Sequence, residues 1–343
     1  IPKNVKGSDS LYGIGTLGGS DYLKEIIFEE GIEGVPSGIA TGATKVERVV
    51  IPEGVKQIGY EAFRKAEKLS QVVLPESLAI IEGRAFEESG LKSITIPGKI
   101  TKVGDYAFQS SQLESVTFAD GDEYTKATLG NYVFESCEKL ETVNLSENIT
   151  SIGYRMIYGT RVASITIPKN VKSCSSSYGI GTLGGSDYLK EIIFEDGIET
   201  VPGYIATGAT KVERVIIPEG VKQIGYGAFQ KTEKLSQIEL PESLKVIEGC
   251  AFLESGLKNI VIPGNITTIG DCVFQSSQLQ SATFADGDEY TKATLGNYVF
   301  DNCQKLETVN LSENITSIGY RMIYGTRVAS ITIPKNVKSC SSS

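Results

Sequence analysis

Residues 51–73 read IPEGVKQIGYEAFRKAEKLSQVV, and the placement of their apolar residues decides the fold. Leu69, Val72 and Leu74 supply core contacts. Val72 and Leu74 alternate as in a short strand with one buried face, and Pro75 then ends the strand. Earlier in the segment, Val55, Ile58, Ala62 and Phe63 are apolar at irregular spacing, with Gly54 and Gly59 among them. That pattern fits a tightly turning return path, because an amphipathic helix would repeat its apolar positions every 3.6 residues. One such segment cannot close a core by itself.

The segment does not stand alone. Aligning the chain on L-x-x-I-x-I-P, as in LKSITIP from Leu91 and VERVVIP from Val46, gives repeats starting at 1, 28, 51, 74, 96, 118 and 145, with lengths of 27, 23, 23, 22, 22, 27 and 22 residues. Residues 1–166 then recur as 167–332, and 333–343 begin a further, partial repeat. IPKNVK starts at Ile1, Ile167 and Ile333, and TFADGDEYTKATLGNYVF starts at both Thr117 and Thr283. Stacking solves the burial problem: strands of successive coils pair at about 4.8 Å and their apolar positions form continuous ladders. The expectation is a single continuous, mostly β solenoid over 1–343. It is a right-handed coil with one parallel β-sheet face, short irregular or 3-10 returns and few or no long helices. Fourteen coils would extend for about 70 Å. Two unrelated α/β domains are disfavoured, since their parallel strands need apolar crossover helices that these glycine-rich returns are too short to form.

Repeats such as LKSITIPGKITKVGDYAF (91–108) and LETVNLSENITSIGYRM (140–156) resemble the BspA-like leucine-rich repeats. That family's pattern runs L-x-x-I-x-I-P, then V-x-x-I-G-x-x-A-F, often with Cys before the next Leu. FESCEKL carries the cysteine at 137 and FDNCQKL at 303, whereas Ala66, Ser89, Thr232 and Ser255 put other small residues there. IGYRMI, starting at 152 and 318, departs from the pattern by placing Met-Ile where Ala-Phe is usual. The resemblance covers the whole chain. It implies a bacterial secreted or surface-exposed protein used in adhesion, and it supplies no catalytic residues.

Composition narrows the function classes. With 42 acidic against 33 basic residues, net charge −9, the chain has no electrostatic reason to bind a phosphate backbone. Its apolar runs are too short to insert in a membrane. Histidine is absent, which removes the commonest general base and metal ligand. Paired carboxylates remain the one enzyme route, and its check is whether two acidic side chains converge in a partly buried pocket. The six cysteines include no C-x-x-C pair, so neither a metal nor a cofactor is expected. Gly13, Gly15 and Gly18 do match the G-x-G-x-x-G spacing of a dinucleotide turn. However, YGIGTLGGSDYL aligns without gaps on IGYEAFRKAEKL, placing Tyr12 on Ile58, Leu17 on Phe63 and Leu23 on Leu69, so the glycines read as a repeat turn.

The candidate ligand-contact residues lie on the strand positions that point away from the core: Arg48, Gln71, Ser93, Thr95, Thr117 and Asn144, continued by Arg214, Gln237, Asn259, Thr283 and Asn310. They form a polar, Thr-rich strip on the broad surface that solenoids expose. Cys250 and Cys272 occupy equivalent positions of consecutive repeats, about 5 Å apart if the coils stack, which allows a rung-to-rung disulfide or two free thiols. Cys137 and Cys303 read as small core residues.

Two insertions, GSDSL (7–11) and ADGDEYTKAT (119–128), emerge from one edge of the solenoid, where repeat proteins often place binding loops. Asp120, Asp122 and Glu123, with Asp286, Asp288 and Glu289 in the second copy, could offer oxygen ligands to calcium, but the spacing lacks an EF-hand's further positions and a solvated loop is expected. Asn148, Asn265 and Asn314 match glycosylation sequons incidentally.

The expected function is non-catalytic recognition or adhesion at a bacterial cell surface or outside the cell, binding an extracellular protein or glycan. The alternative is a structural spacer, for which the near-identical duplication speaks. Both ends stop mid-repeat without a polar cap, so either a longer natural chain or end-to-end self-association is expected.

Overall fold

The computed structural model describes residues 15–177, 179–288 and 290–340. It divides into two compact units: Ile1–Ala163 with Ser186–Tyr188, and Ser164–Gly185 with Leu189–Ser343. Each is a solenoid of parallel strands and turns, and no helix occurs among the described residues.

In the first unit, Glu25–Ile27, Arg48–Val50 and Gln71–Val73 form one three-stranded parallel sheet, and Ser93–Ile96, Ser115–Phe118 and Thr142–Asn144 form another. Register keeps equivalent residues in line, with Arg48 beside Gln71, and Thr95, Thr117 and Asn144 in a row. Along Ser93–Ile96 exposure alternates strictly, with Ile94 and Ile96 inward and Ser93 and Thr95 outward. The second unit repeats the scheme with Ser164–Ile167, Glu191–Phe194 and Arg214–Ile216, then Asn259–Ile262, Ser281–Phe284 and Thr308–Asn310.

The returns are more regular than their sequence suggests. Very short strands such as Gln57–Ile58, Ile80–Ile81 and Lys102–Val103 pair in parallel from coil to coil, so a second ladder accompanies the expected sheet face. One residue of each short strand faces inward: Ile58, Ile81 and Val103 are buried, while Gln57 and Lys102 are exposed. Most returns then turn sharply through two residues of left-handed backbone four positions apart. Glu61 and Lys65 flank Ala62–Phe63 in this way, and Arg84 and Glu88 flank Ala85–Phe86. A full helical turn would continue right-handed, so this alternation closes the coil without helix.

Between the two ladders lies a stack of phenylalanines. Phe63, Phe86, Phe108 and Phe134 are fully buried, with successive ring centroids 5.3, 5.3 and 5.7 Å apart. Phe229, Phe252, Phe274 and Phe300 repeat the stack at 5.4, 5.5 and 5.5 Å. These distances fall close to the strand spacing, so in four consecutive coils of each unit one aromatic per coil continues the stack. Cys137 and Cys303 are fully buried beside this stack, as expected of small core residues. Burial lifts each thiol to about 11, and each donates to a backbone carbonyl, Phe108 O at 3.0 Å and Phe274 O at 2.9 Å.

The sheet faces are interrupted, and where Gln71–Val73 parts from Ser93–Ile96 the link between core anchors shortens. Six positions separate Phe63 from Leu69, but five separate Phe86 from Leu91. Both anchors are fixed in core ladders, so the shorter link is drawn in against the preceding coil, and Gln71–Val73 no longer pairs with Ser93–Ile96. Gly90 marks the squeeze: its amide donates to Ala66 O at 3.1 Å, and a Cβ there would lie 2.2 Å from Glu67 O. Gly256 repeats the contact, 2.0 Å from Glu233 O. Where the count rises from five back to six, as from Phe108–Leu113 to Phe134–Leu140, the sheet continues.

Candidate binding face

Of the residues placed on the polar strip from sequence, Arg48, Gln71, Ser93, Thr95, Asn144, Arg214, Gln237, Asn259 and Asn310 are exposed, and Thr117 and Thr283 are half-buried. The sheets bring them together in groups of three coils. Much of their hydrogen-bonding capacity is used along the row. Asn144 Nδ2 donates to Thr117 Oγ1 at 3.3 Å, and Asn310 repeats the bond to Thr283 at 3.3 Å. Arg214 donates to Glu191 Oε1 at 2.8 Å, and Arg48 pairs with Glu25, a partner on the same row that the strip read from sequence omits. Such exposed pairs add at most about 1 kcal/mol each, but they hold long side chains in a fixed array.

Gln237 is the exception to the strand placement. Residues 237–240 carry no strand, although the equivalent Gln71–Val73 of the first unit, ahead of the same six-to-five shortening, is one. The parted coils open a cleft of about 320 Å³ lined by Gln237, Glu239, Asn259, Ile238, Leu240 and Val261 among others. Val261 is 63% exposed there, and in the first unit Val73 is 81% exposed beside the equivalent interruption. The polar strip therefore contains apolar points where the sheet parts, and these come from the repeat lengths as well as from side-chain alternation.

A second depression, of about 510 Å³, lies over the returns of the first unit and was not anticipated from sequence. Tyr60, Arg84 and Tyr106 line it with Glu82, Lys102 and Asp105. The Arg84 guanidinium sits 4.5 Å above the Tyr106 ring, which stacks on Tyr132 at 4.7 Å. Its carboxylates are engaged: Glu82 accepts from Lys102 Nζ at 2.8 Å, and Asp105 Oδ1 accepts from the Asn131 amide at 2.7 Å. The signal that could have found it is the tyrosine in IGYEAF and GDYAF, shifted by one place between repeats, so that no single column of the alignment displays it.

The remaining sequence candidates have structural work. Gly13 lies outside the described residues, but Gly15 donates to Thr41 O at 2.6 Å and Leu17 to Ile39 O at 2.8 Å, and no helix follows. A Cβ at Gly15 would lie 1.8 Å from Gly38 O, so this glycine serves coil stacking. Asp122 Oδ1 accepts from Thr125 N at 2.8 Å, Thr125 Oγ1 at 2.8 Å and Tyr124 N at 3.1 Å, and these bonds hold its carboxyl below the usual range. Asp288 repeats the arrangement with Thr291 and Tyr290. Glu289 lies outside the described residues. Asn148 and Asn314 spend their side-chain amides on neighbouring coils, Asn148 on Gly98 O and the Gly121 amide, Asn314 on Asp288 O, Thr291 O and the Gly287 amide. Cys250 and Cys272 are free, half-buried thiols.

The family comparison agrees with this architecture. The family pattern described as "BspA type Leucine rich repeat region (6 copies)" matches residues 33–127, 61–178, 181–293 and 289–343. Among solved structures, a leucine-rich repeat protein from Bacteroides ovatus is 20% identical, with a TM-score of 0.49 over 99% of this chain and 89% of that one. A leucine rich cell surface protein from Faecalibacterium prausnitzii is 20% identical, with a TM-score of 0.43 over 99% and 86%. The pneumococcal vaccine antigen PcpA is 20% identical, with a TM-score of 0.38 over 93% and 84%. No curated protein sequence is significantly similar.

Proposed function

Because the chain belongs to the BspA-type leucine-rich repeat family, we propose that it is a non-catalytic recognition module of a bacterial surface, engaging an extracellular protein or glycan through the strand face. The observation that carries this reading is the strip itself: exposed polar side chains in register on neighbouring strands, several held by their neighbours, with apolar points where the sheet parts. A ligand meeting such a surface gains from many weak contacts, and the pre-ordered side chains reduce the entropy lost on binding. The cell-surface description of the Faecalibacterium protein suits an extracellular setting.

The test is a screen of the purified chain against extracellular matrix proteins and a glycan array, followed by the combined variant Arg48→Ala, Gln71→Ala, Arg214→Ala and Gln237→Ala. At about 0.5–1 kcal/mol per lost contact, affinity falls by at least tenfold while the unfolding temperature stays close to the parent's. Unchanged affinity removes the strip as the contact face. The near-identical duplication favours one other reading, a spacer that presents another domain, since spacing needs length and not surface variety. A screen in which no matrix protein, glycan or cell surface is bound selects the spacer.

A further inference from the structure

Cys250 and Cys272 occupy equivalent places in neighbouring coils of the second unit, and both take left-handed backbone with φ 58°. Each is tied to the next coil by its amide, Cys250 to Asp271 O at 2.9 Å and Cys272 to Asn297 O at 2.8 Å. Residues stacked in this way have Cα atoms about 5 Å apart and parallel Cα–Cβ directions, inside the window that a disulfide spans. The Cys250 thiol donates to Tyr226 Oη at 3.3 Å, so it points along the stack of returns. Burial first, and then the Cys250 thiol beside it, push the Cys272 thiol up to about 11.

The duplication supplies an internal comparison. The first unit has Arg84 and Tyr106 at these two places, at φ 57° and 59°, and they too touch across the coils, guanidinium over ring. One cross-coil pair has thus been exchanged for another. Its surroundings changed with it: Glu61, Arg64 and Glu87 become Gly227, Gln230 and Leu253, and Lys102 becomes Thr268. The cations around the Arg84–Tyr106 contact are gone where the thiols stand, while the carboxylates Glu82 and Asp105 persist as Glu248 and Asp271. A reactive dithiol would want a nearby cation to favour thiolate, and its removal suits a lasting crosslink instead.

We propose that Cys250 and Cys272 are a disulfide-forming pair that ties the two coils together, made by exchange with a small-molecule disulfide. One thiol of the pair, as thiolate, attacks the reagent's S–S bond and expels one reagent thiolate. The other thiolate then attacks the mixed disulfide and expels the second. One S–S bond is broken and one formed; the two cysteines are oxidised, the reagent is reduced to two thiols, and the two cysteine protons end on them.

The experiment incubates the full chain with oxidised glutathione, quenches in acid, alkylates the remaining thiols and maps peptides by mass spectrometry. The expected product lacks two hydrogen atoms relative to the reduced chain and carries a Cys250–Cys272 crosslink, which dithiothreitol reverses. Cys340, exposed and distant in sequence, is the internal reference for exchange with glutathione. In Cys250→Ser the crosslink disappears and Cys272 carries at most a glutathione adduct. Separate adducts on both cysteines of the parent chain overturn the proposal, as do two free thiols under conditions where Cys340 is fully glutathionylated.

Discussion

Replacing Gly90 by alanine tests the rule that a shortened link is pressed against the preceding coil. The added Cβ would stand 2.2 Å from Glu67 O, 2.8 Å from Glu67 C and 3.2 Å from Leu69 O. All three are backbone atoms, so no side chain can rotate away. Relief requires the coils to part by about 1 Å locally, which forfeits a quarter to a half of the dispersion contact there. Parting also stretches the 3.1 Å bond from the Gly90 amide to Ala66 O. Overpacking of this kind costs about 1–3 kcal/mol and a weakened buried hydrogen bond about 1 kcal/mol, giving about 2–4 kcal/mol in all.

Gly34→Ala is the matched control: its Cβ would meet Gln57 O at 3.4 Å and Gln57 Cβ at 3.8 Å, ordinary contact, and the second unit already carries Thr200 there. That substitution is expected to be neutral or to stabilise by about 0.4–1 kcal/mol through the unfolded chain. Urea unfolding followed by far-ultraviolet circular dichroism, with hydrogen exchange to localise the loss, separates the two. Equal midpoint shifts for the two variants, or a cost below about 1 kcal/mol for Gly90→Ala, would refute the steric reasoning.

Two further outcomes follow from side-chain geometry. Glu87 is 5% exposed and accepts two bonds from Arg84 at 2.9 Å, with Arg64 Nε a further 2.8 Å contact. Glu87→Leu alone is expected to cost about 2 kcal/mol by removing the carboxylate that two partly buried cations share, leaving Arg64 only Glu61, and adding Arg64→Gln and Arg84→Cys, the residues of the second unit, recovers most of it in an unfolding cycle. At the exposed Asp122 turn the folded carboxyl titrates below its unfolded value, so its bonds with Thr125 favour the fold above the unfolded pKa, and that contribution is lost as pH falls through the folded one. Thr125→Val removes the hydroxyl bond, the largest cause, and should move the Asp122 carboxyl resonance titration upward in NMR; an unmoved titration contradicts the assignment.

The coil was legible in sequence because three of its causes are local: alternation at Val72 and Leu74, the proline that follows, and glycines where backbone meets backbone. The strip was legible for the same reason, since period-2 alternation fixes which side chains point outward. The second ladder was harder to see, because strands of two residues such as Gln57–Ile58 have no periodicity to detect; they exist only through pairing with the next coil. The parting of Gln71–Val73 from Ser93–Ile96 was written in the sequence as the change in Phe-to-Leu offset from six positions to five. The missing strand at Gln237 beside a cleft was not written there, since Gln71 of the first unit has the same spacings and lies in a strand. The left-handed backbone at Glu61, Arg84 and Tyr106 left no signature, since residues that disfavour that conformation occupy it.

The central claim is that coils hold one another up through the phenylalanine stack, and hydrogen exchange of Phe108→Ala tests it most directly. Phe108 is fully buried between Phe86 and Phe134, and its coil accepts the Phe86 amide at Ala107 O, 2.7 Å, while its own amide donates to Val133 O at 3.0 Å. Removing the ring is expected to cost about 3–5 kcal/mol and to speed exchange at the Phe86 and Phe134 coils as well as at its own. Faster exchange confined to the coil that lost the ring, with the Phe86 and Phe134 amides as protected as before, would contradict it.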